Sequence, residues 1–140
     1  MTFDQLSVFV ENKPGKLVEA LETLSGAGID LRALSLADTA DFGILRTIVD
    51  EPANALNILR EAGFLVKTSK VIPVEVSDKP GSFAAIMRIM SDAGINVEYT
   101  YAFVARRQGK AYVILRVDDN DAAIKALADN GIELLSASDM

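Results

Sequence analysis

The chain has 140 residues, half of them hydrophobic, and a formal net charge of −6. This length suits one ordinary domain or two small ones, and the apolar content is sufficient to bury a core. Because an acidic surface repels phosphate groups, the charge argues against nucleic acids and anionic membranes as partners. Cysteine and histidine are both absent from the sequence, which excludes disulfides and removes the commonest general base and metal ligand.

An internal repeat organises the whole chain. The segment Asn12–Leu17 reads NKPGKL and returns as Asp78–Phe83, which reads DKPGSF, at an offset of 66 residues (12 to 78). At the same offset, Ala27–Leu31 (AGIDL) returns as Ala93–Val97 (AGINV). Matches of this length, in the same order, indicate two copies of one structural unit.

Each copy begins with a strand, a turn and a helix. In the first copy, the alternation of Leu6, Val8 and Val10 predicts a strand, and a Pro-Gly turn follows it. Leucines at helical spacing come next, and Gly28 stands where a helix end favours a residue that can take positive φ. Gly94 is its match in the second copy.

The second half of each copy predicts two strands, a helix that ends at a glycine, and a last strand. In the first copy these are a strand from Leu31, a strand over Ile44–Val49, a helix that ends at Gly63 and a strand over Phe64–Ser69. In the second copy the matched elements are a strand from Val97, a strand over Tyr112–Val117, a helix that ends at Gly131 and a strand over Ile132–Ala137. The offset increases to 68 residues at the third strand (49 to 117). Two additional residues are therefore expected in the loop around Arg106, Arg107, Gln108 and Gly109.

The order β-α-β-β-α-β in each copy predicts an α+β fold. This order is that of the ferredoxin-like unit, an antiparallel sheet with both helices on one face. We therefore predict two tandem ferredoxin-like domains, over residues 1–70 and 71–140, with no added catalytic domain.

The repeated Pro-Gly loop has two interpretations. Gly15 allows a tight turn or a close approach of the backbone to a ligand, and the helix that follows it attracts an anion such as a carboxylate. Asp78 cannot favour a carboxylate but can accept hydrogen bonds from an ammonium group, so that a zwitterion suits the pair of loops. The alternative is that Pro-Gly is only a turn and that Asn12 and Asp78 cap their helices.

The two motifs together resemble the ACT domain, a ferredoxin-like module that binds amino acids and controls biosynthetic enzymes. The pattern is [Asn/Asp]-Lys-Pro-Gly-x-[Leu/Phe], followed after one helix by Ala-Gly-Ile-[Asp/Asn]-[Leu/Val], and it covers nearly the whole chain in duplicate. The chain is most similar to the small stand-alone tandem ACT proteins. Asn12 matches the family's polar loop residue, whereas Asp78 departs from it in charge, which argues against two identical sites.

This resemblance also implies where a ligand binds. In ACT proteins the ligand lies where two ACT units meet, with the first loop of one unit facing the second-strand region of its neighbour. The implied ligand-binding residues are Asn12, Lys13, Pro14, Gly15, Lys16 and Leu17 in the first loop, Asp78, Lys79, Pro80, Gly81, Ser82 and Phe83 in the second, and Asp30, Leu31, Asn96 and Val97 on the facing wall.

Other motifs carry weaker functional signals. Asp41-Phe42-Gly43 spells the kinase metal motif, but none of the other kinase motifs accompanies it. Tyr99 and Tyr101 share a face of one strand. They either line a pocket there or, as we favour, are half-buried packing residues. Asp118, Asp119 and Asp121 have the composition of a cation site, but acidic residues also favour a helix N-terminus. We predict no catalytic residue, no metal site and no cofactor.

We therefore expect a regulatory or sensor protein that binds a free amino acid and is not an enzyme. One alternative is a small ferredoxin-like enzyme, but this sequence has no histidine, no cysteine and no phosphate-binding glycine loop. The other is an RNA-binding module, which needs aromatic residues on its central strands and a basic face. A biosynthetic enzyme or a second copy of the chain is the candidate protein partner. With no apolar run near the ~18 residues of a membrane span and no leader pattern at the N-terminus, the expected location is the cytoplasm.

Overall fold

The computed structural model describes residues 2–103, 108–136 and 139. Its helices and strands follow the predicted order. In chain order they are β1 (Phe3–Glu11), α1 (Lys16–Gly26), β2 (Leu31–Asp38), β3 (Phe42–Val49), α2 (Pro52–Glu61), β4 (Leu65–Ser77), α3 (Ser82–Asp92), β5 (Val97–Phe103), β6 (Lys110–Val117) and α4 (Asn120–Asp129).

The chain divides into two compact units. Asp4–Ser69 form the first unit, and the described residues from Lys70 onward, together with Thr2 and Phe3, form the second. Strand β4 spans this division, because the strand predicted over Phe64–Ser69 begins at Leu65 and continues without a break to Ser77. Among the residues that the structure describes, there is no helix whose length and apolarity would let it cross a membrane.

The first unit is a ferredoxin-like sheet with both helices on one face. Its strands are ordered β2-β3-β1-β4, and β3 is antiparallel to both β1 and β2. Alternate residues of β1 and β3 face the two helices, as their alternating pattern predicts. The resulting core consists of Leu6, Val8, Val10, Ala20, Leu24, Ile29, Leu45, Val49, Ala55, Leu59 and Val66.

The second unit repeats this plan with strands ordered β4-β6-β5, again antiparallel. Its core uses the matched positions, namely Ile72, Val74, Val76, Ile86, Met90, Ile95, Val113, Leu115, Val117, Ala123 and Leu127. The prediction of two ferredoxin-like units is therefore confirmed, with one difference in the last strand of the second unit.

The prediction of a last strand over Ile132–Ala137 is wrong for the described residues of that segment. In place of a strand, Leu134 forms a single antiparallel bridge with Val74, and Ala137 lies outside the residues that the structure describes. The physical reason lies at Pro73, whose carbonyl accepts from the Leu135 N–H at 3.1 Å but which has no N–H to return. The matched residue of the first unit is Ser7, which keeps its N–H.

The two additional residues of the second copy lie where the offset predicts. Ala37 pairs with Ile44 in the first unit, and the matched residues Phe103 and Tyr112 pair in the second. The additional residues therefore fall between Phe103 and Tyr112. The predicted loop residues Arg106 and Arg107 lie outside the described residues.

Gly28 closes α1 as its position predicts. It takes a φ of 75°, its N–H donates to the Ser25 carbonyl at 3.0 Å, and the Ile29 N–H donates to the Leu24 carbonyl at 3.0 Å. This pair of bonds is the Schellman arrangement, which satisfies carbonyls at a helix end and favours glycine at the left-handed position.

One buried polar side chain interrupts the apolar layer of the first unit. Thr47 is paired with Leu6 and fully buried, and its hydroxyl donates to the Ala33 carbonyl at 2.8 Å, next to an irregularity in the β2–β3 pairing. The matched residue of the second unit is Leu115. The hydroxyl therefore satisfies a carbonyl at a site where an apolar residue is also sterically acceptable.

We expect Thr47→Val to lower the free energy of unfolding by about 1–2 kcal/mol, because it leaves a buried carbonyl without its donor. Urea denaturation at an unchanged slope would measure the loss. Thr68→Val, at an exposed position of β4, is the control and should change stability by less than about 0.5 kcal/mol. A Thr47→Val protein as stable as the wild type would contradict this role.

Candidate functional site

The two Pro-Gly loops have the same backbone hydrogen bonds. In the first loop, the Lys13 N–H donates to the Glu11 carbonyl at 2.8 Å, and the Lys16 N–H donates to the Lys13 carbonyl at 3.3 Å. The matched bonds of the second loop, from Lys79 and Ser82, measure 2.9 and 3.2 Å. The repeated sequence therefore encodes a repeated loop geometry.

A glycine, not Asn12 or Asp78, occupies the N-cap of each helix. Gly15 takes a φ of 87° and Gly81 a φ of 86°, and within the described chain no side chain caps either helix. The alternative that Asn12 and Asp78 cap their helices is therefore wrong. Because an uncapped helix start carries N–H groups and the positive end of the helix dipole, both loops offer a place for an anionic group.

Glycine is required at these positions by backbone conformation. A Cβ added to Gly15 would meet no described atom within 4 Å, and the same holds for Gly81. The left-handed conformation that both adopt is strained for other residues. The space next to the Cα atom of Gly15 is therefore free of described atoms.

The first loop lines a cavity of about 430 Å³. Five of its six predicted residues contribute, and residues from the end of β1 and from the β2–β3 hairpin complete the wall. The lining consists of Val10, Glu11, Asn12, Lys13, Pro14, Gly15, Leu17, Leu36 and Gly43. We call this cavity the loop pocket.

Lys16 is the predicted residue of this loop that lies elsewhere. It forms an ion pair with Glu19 at 3.6 Å and borders a separate cleft with Phe9 and Phe64. Glu11 and Lys13, which do line the loop pocket, pair with each other at 3.2 Å. Their formal charges therefore cancel within the pocket wall.

Leu36 and Gly43 are pocket residues that sequence reasoning missed. Gly43 pairs with Val10 in the β1–β3 register, and Asp38, two residues after Leu36, pairs with Gly43 in the β2–β3 register. These pairings bring the hairpin to the end of β1, where the loop begins. The useful signal was the antiparallel order itself, because the start of the third strand must then lie beside the end of the first.

The second unit has its own cleft, but only one predicted loop residue lines it. Ser82 borders a cavity of about 360 Å³ with Glu75, Lys110 and Glu133 among the other lining residues. Lys110 and Glu75 are 3.8 Å apart, so their ion pair is loose. Asp78, Lys79, Pro80, Gly81 and Phe83 lie outside the wall of this cavity.

The four residues predicted for the facing wall lie at the far end of each sheet from the loops. Leu31 pairs with Val49, whereas the loop end of the same sheet is marked by the pairing of Val10 with Gly43. The Asp30 N–H donates to the Asp50 carboxylate at 3.1 Å. In the second unit, the Asn96 N–H makes the matched bond to Asp118 at 3.2 Å, and Val97 packs partly buried against the core.

The acidic cluster after β6 has structural roles. Asp118 accepts the Asn96 bond, and Asp119 is the N-cap of α4, where its carboxylate accepts from the Ala122 N–H at 3.0 Å. Within residues 2–103, 108–136 and 139, no group of three or more acidic side chains is placed to hold a metal ion. Tyr99 and Tyr101 are half-buried on β5.

Comparison with known proteins places this double unit in a class of ferredoxin-like domain pairs. A family model described as an ACT domain pair matches residues 1–140. The chain therefore belongs to the ACT domain pair family. The sequence has no match among curated proteins.

Solved structures share this fold. Protein BT0572 from Bacteroides thetaiotaomicron is 38% identical, with a TM-score of 0.92, and the match covers 99% of this chain and 95% of that one. The regulatory subunit of aspartate kinase from Thermus thermophilus, in a ligand-free form, is 18% identical with a TM-score of 0.66, over 90% and 91% of the two chains. Aspartate kinase from Synechocystis is 18% identical with a TM-score of 0.62, over 97% of this chain and 28% of that one.

We expect Gly15→Ala to lower the free energy of unfolding by about 1–2 kcal/mol, because alanine is strained in the left-handed conformation. Gly26→Ala is the matched control, since Gly26 is also free of contacts within 4 Å but is the last helical residue of α1 and has no positive φ. That change should raise stability by about 0.5–1 kcal/mol. Chemical denaturation of both variants measures the difference, and a Gly15→Ala protein that gains stability would refute the conformational argument.

Proposed function

We propose that this protein binds a free amino acid in the loop pocket of its first unit and acts as a regulatory sensor. The observation that carries the proposal is the pocket itself, an open cavity of about 430 Å³ beside a helix start that no described side chain caps. Membership of the ACT domain pair family supports the choice of ligand.

The loop supplies partners for both charged ends of an amino acid. The α-carboxylate suits the start of α1, where first-turn N–H groups and the helix dipole favour an anion. The α-ammonium suits the side-chain carbonyl of Asn12, which lines the pocket. The residues at the two ends lie on one short loop, so that a single small zwitterion can reach both.

The proposed output is regulation of another protein. An enzyme that makes an amino acid, or a second copy of the chain, is the partner we propose, and the cytoplasm is the proposed location. The regulatory subunit of aspartate kinase shares the fold and supports this type of role. Asp30, Leu31, Asn96 and Val97, together with the second loop, stay predicted ligand contacts on the basis of family resemblance.

A thermal-shift screen of the twenty amino acids tests the proposal directly. A ligand present at a hundred times its Kd should stabilise the protein by about 2.7 kcal/mol and raise the unfolding temperature. Calorimetric titration of the best ligand would then give the affinity and the number of sites. The absence of any shift or heat across the full set would refute amino-acid binding.

The two loops should not contribute equally to binding. Asn12 lines the loop pocket, whereas its match Asp78 lies outside the wall of the cleft in its own unit. We expect Asn12→Ala to weaken the best ligand about fivefold through the loss of one hydrogen bond. Asp78→Asn, the matched change in the other loop, should leave the affinity within about twofold of the wild type.

Calorimetry with each variant separates the two cases. Equal loss of affinity in both variants would show that the loops form equivalent sites. That result would contradict the unequal contributions expected from the different surroundings of the two loops. Circular dichroism of the two variants is the control for folding.

A further inference from the structure

The loop pocket has an apolar side wall with no net charge. Val10, Pro14, Leu17 and Leu36 supply its apolar surface, and the two charged residues of the lining, Glu11 and Lys13, form an ion pair. A ligand side chain with its own charge would therefore meet no uncompensated opposite charge there. An apolar ligand side chain, in contrast, stabilises the complex in proportion to the apolar area that binding removes from water.

Gly43 is a glycine whose backbone does not require one. Its φ lies outside the positive range in which the loop glycines fall, and it sits inside strand β3, where glycine weakens a strand. A Cβ at this position would lie 3.2 Å from Cδ1 of Leu36, with the Val10 carbonyl oxygen next at 3.6 Å. A Cβ at position 43 would therefore be in tight contact with the end of the Leu36 side chain.

The second copy of the repeat supports this pairing of positions. Leu36 is matched by Ala102 at the offset of 66 residues, and Gly43 is matched by Ala111 at the offset of 68 residues. One position is smaller in the second copy and the other is larger. The smaller Ala102 leaves room for a Cβ at Ala111, which is the order of sizes that two neighbouring positions with limited space require.

We propose that Leu36 and Gly43 together determine the specificity of the loop pocket, and that its ligand is an amino acid with an uncharged aliphatic side chain. This inference rests on the proposed function. Leu36 is half exposed on β2, with 50% of its surface accessible, so a bound aliphatic side chain would cover apolar surface that otherwise faces water. Because Gly43 has no Cβ, the end of the Leu36 side chain can lie close to β3.

The first test is ligand preference in the wild-type protein. Calorimetric titration with leucine, isoleucine, valine, lysine and glutamate should rank the three aliphatic amino acids above the two charged ones by about tenfold or more. If lysine or glutamate binds as tightly as the aliphatic set, the specificity inference is overturned while amino-acid binding stands. If none of the twenty amino acids binds, the proposed function and the inference fail together.

The second test is a double-mutant cycle at Leu36 and Gly43. Gly43→Ala should displace the end of the Leu36 side chain and weaken leucine binding about fivefold, because the added methyl would lie only 3.2 Å from Leu36 Cδ1. In the background of Leu36→Ala, the same change should alter leucine affinity by less than about twofold. Equal losses in both backgrounds would overturn the inference, because the two side chains would then act independently.

Two further variants keep this test decisive. Ala111→Gly, the matched change in the second unit, should leave leucine affinity unchanged. If Gly43→Ala does not fold, Leu36→Ala alone still decides, since the enlarged pocket should improve phenylalanine relative to leucine about fivefold. An unchanged ratio of the two affinities would exclude Leu36 from specificity.

Discussion

The antiparallel pairing of the first and third strands of each unit is the interaction on which the rest of the structure depends. In the first unit, Leu6 to Glu11 pair in unbroken register with Thr47 to Phe42. This register brings alternate apolar residues of both strands to one face, where the two helices cover them. It also brings the start of β3 to the loop that follows β1. One set of hydrogen bonds therefore determines both the core and the wall of the loop pocket.

The two units show how single residues change a shared plan. Pro73 replaces Ser7 on the central strand of the second unit, and without its N–H the last segment forms a bridge at Leu134 in place of a strand. Thr47 is replaced by Leu115, so that a buried hydroxyl serves one unit and an apolar side chain the other. The duplicated topology tolerates these exchanges because the hydrophobic face and the glycine turns stay the same.

The two loops share a backbone geometry but differ in the residues around them. Both begin a helix with a left-handed glycine and an uncapped first turn, as far as the described residues show. Around the first loop, Leu17 and Leu36 give an aliphatic wall, whereas the cleft of the second unit is bordered by Glu75, Lys110 and Glu133. The two cavities are therefore not equivalent, because the second loop borders its cleft only through Ser82.

The sequence by itself determined the repeat, the order of the elements, the core face of each strand and the glycines that turn the chain. It did so because these features depend on local spacing, such as Leu6, Val8 and Val10 at alternate positions or Gly28 after a helix. Five residues of the first Pro-Gly loop that line the loop pocket were also among those the motif pointed to. Tertiary structure alone decided the pocket wall, because Leu36 and Gly43 reach the loop only through strand pairing across more than twenty residues of sequence. It likewise decided that glycines, and not Asn12 and Asp78, begin the helices, since a side chain of suitable type caps a helix only where the backbone brings it to the first-turn N–H groups.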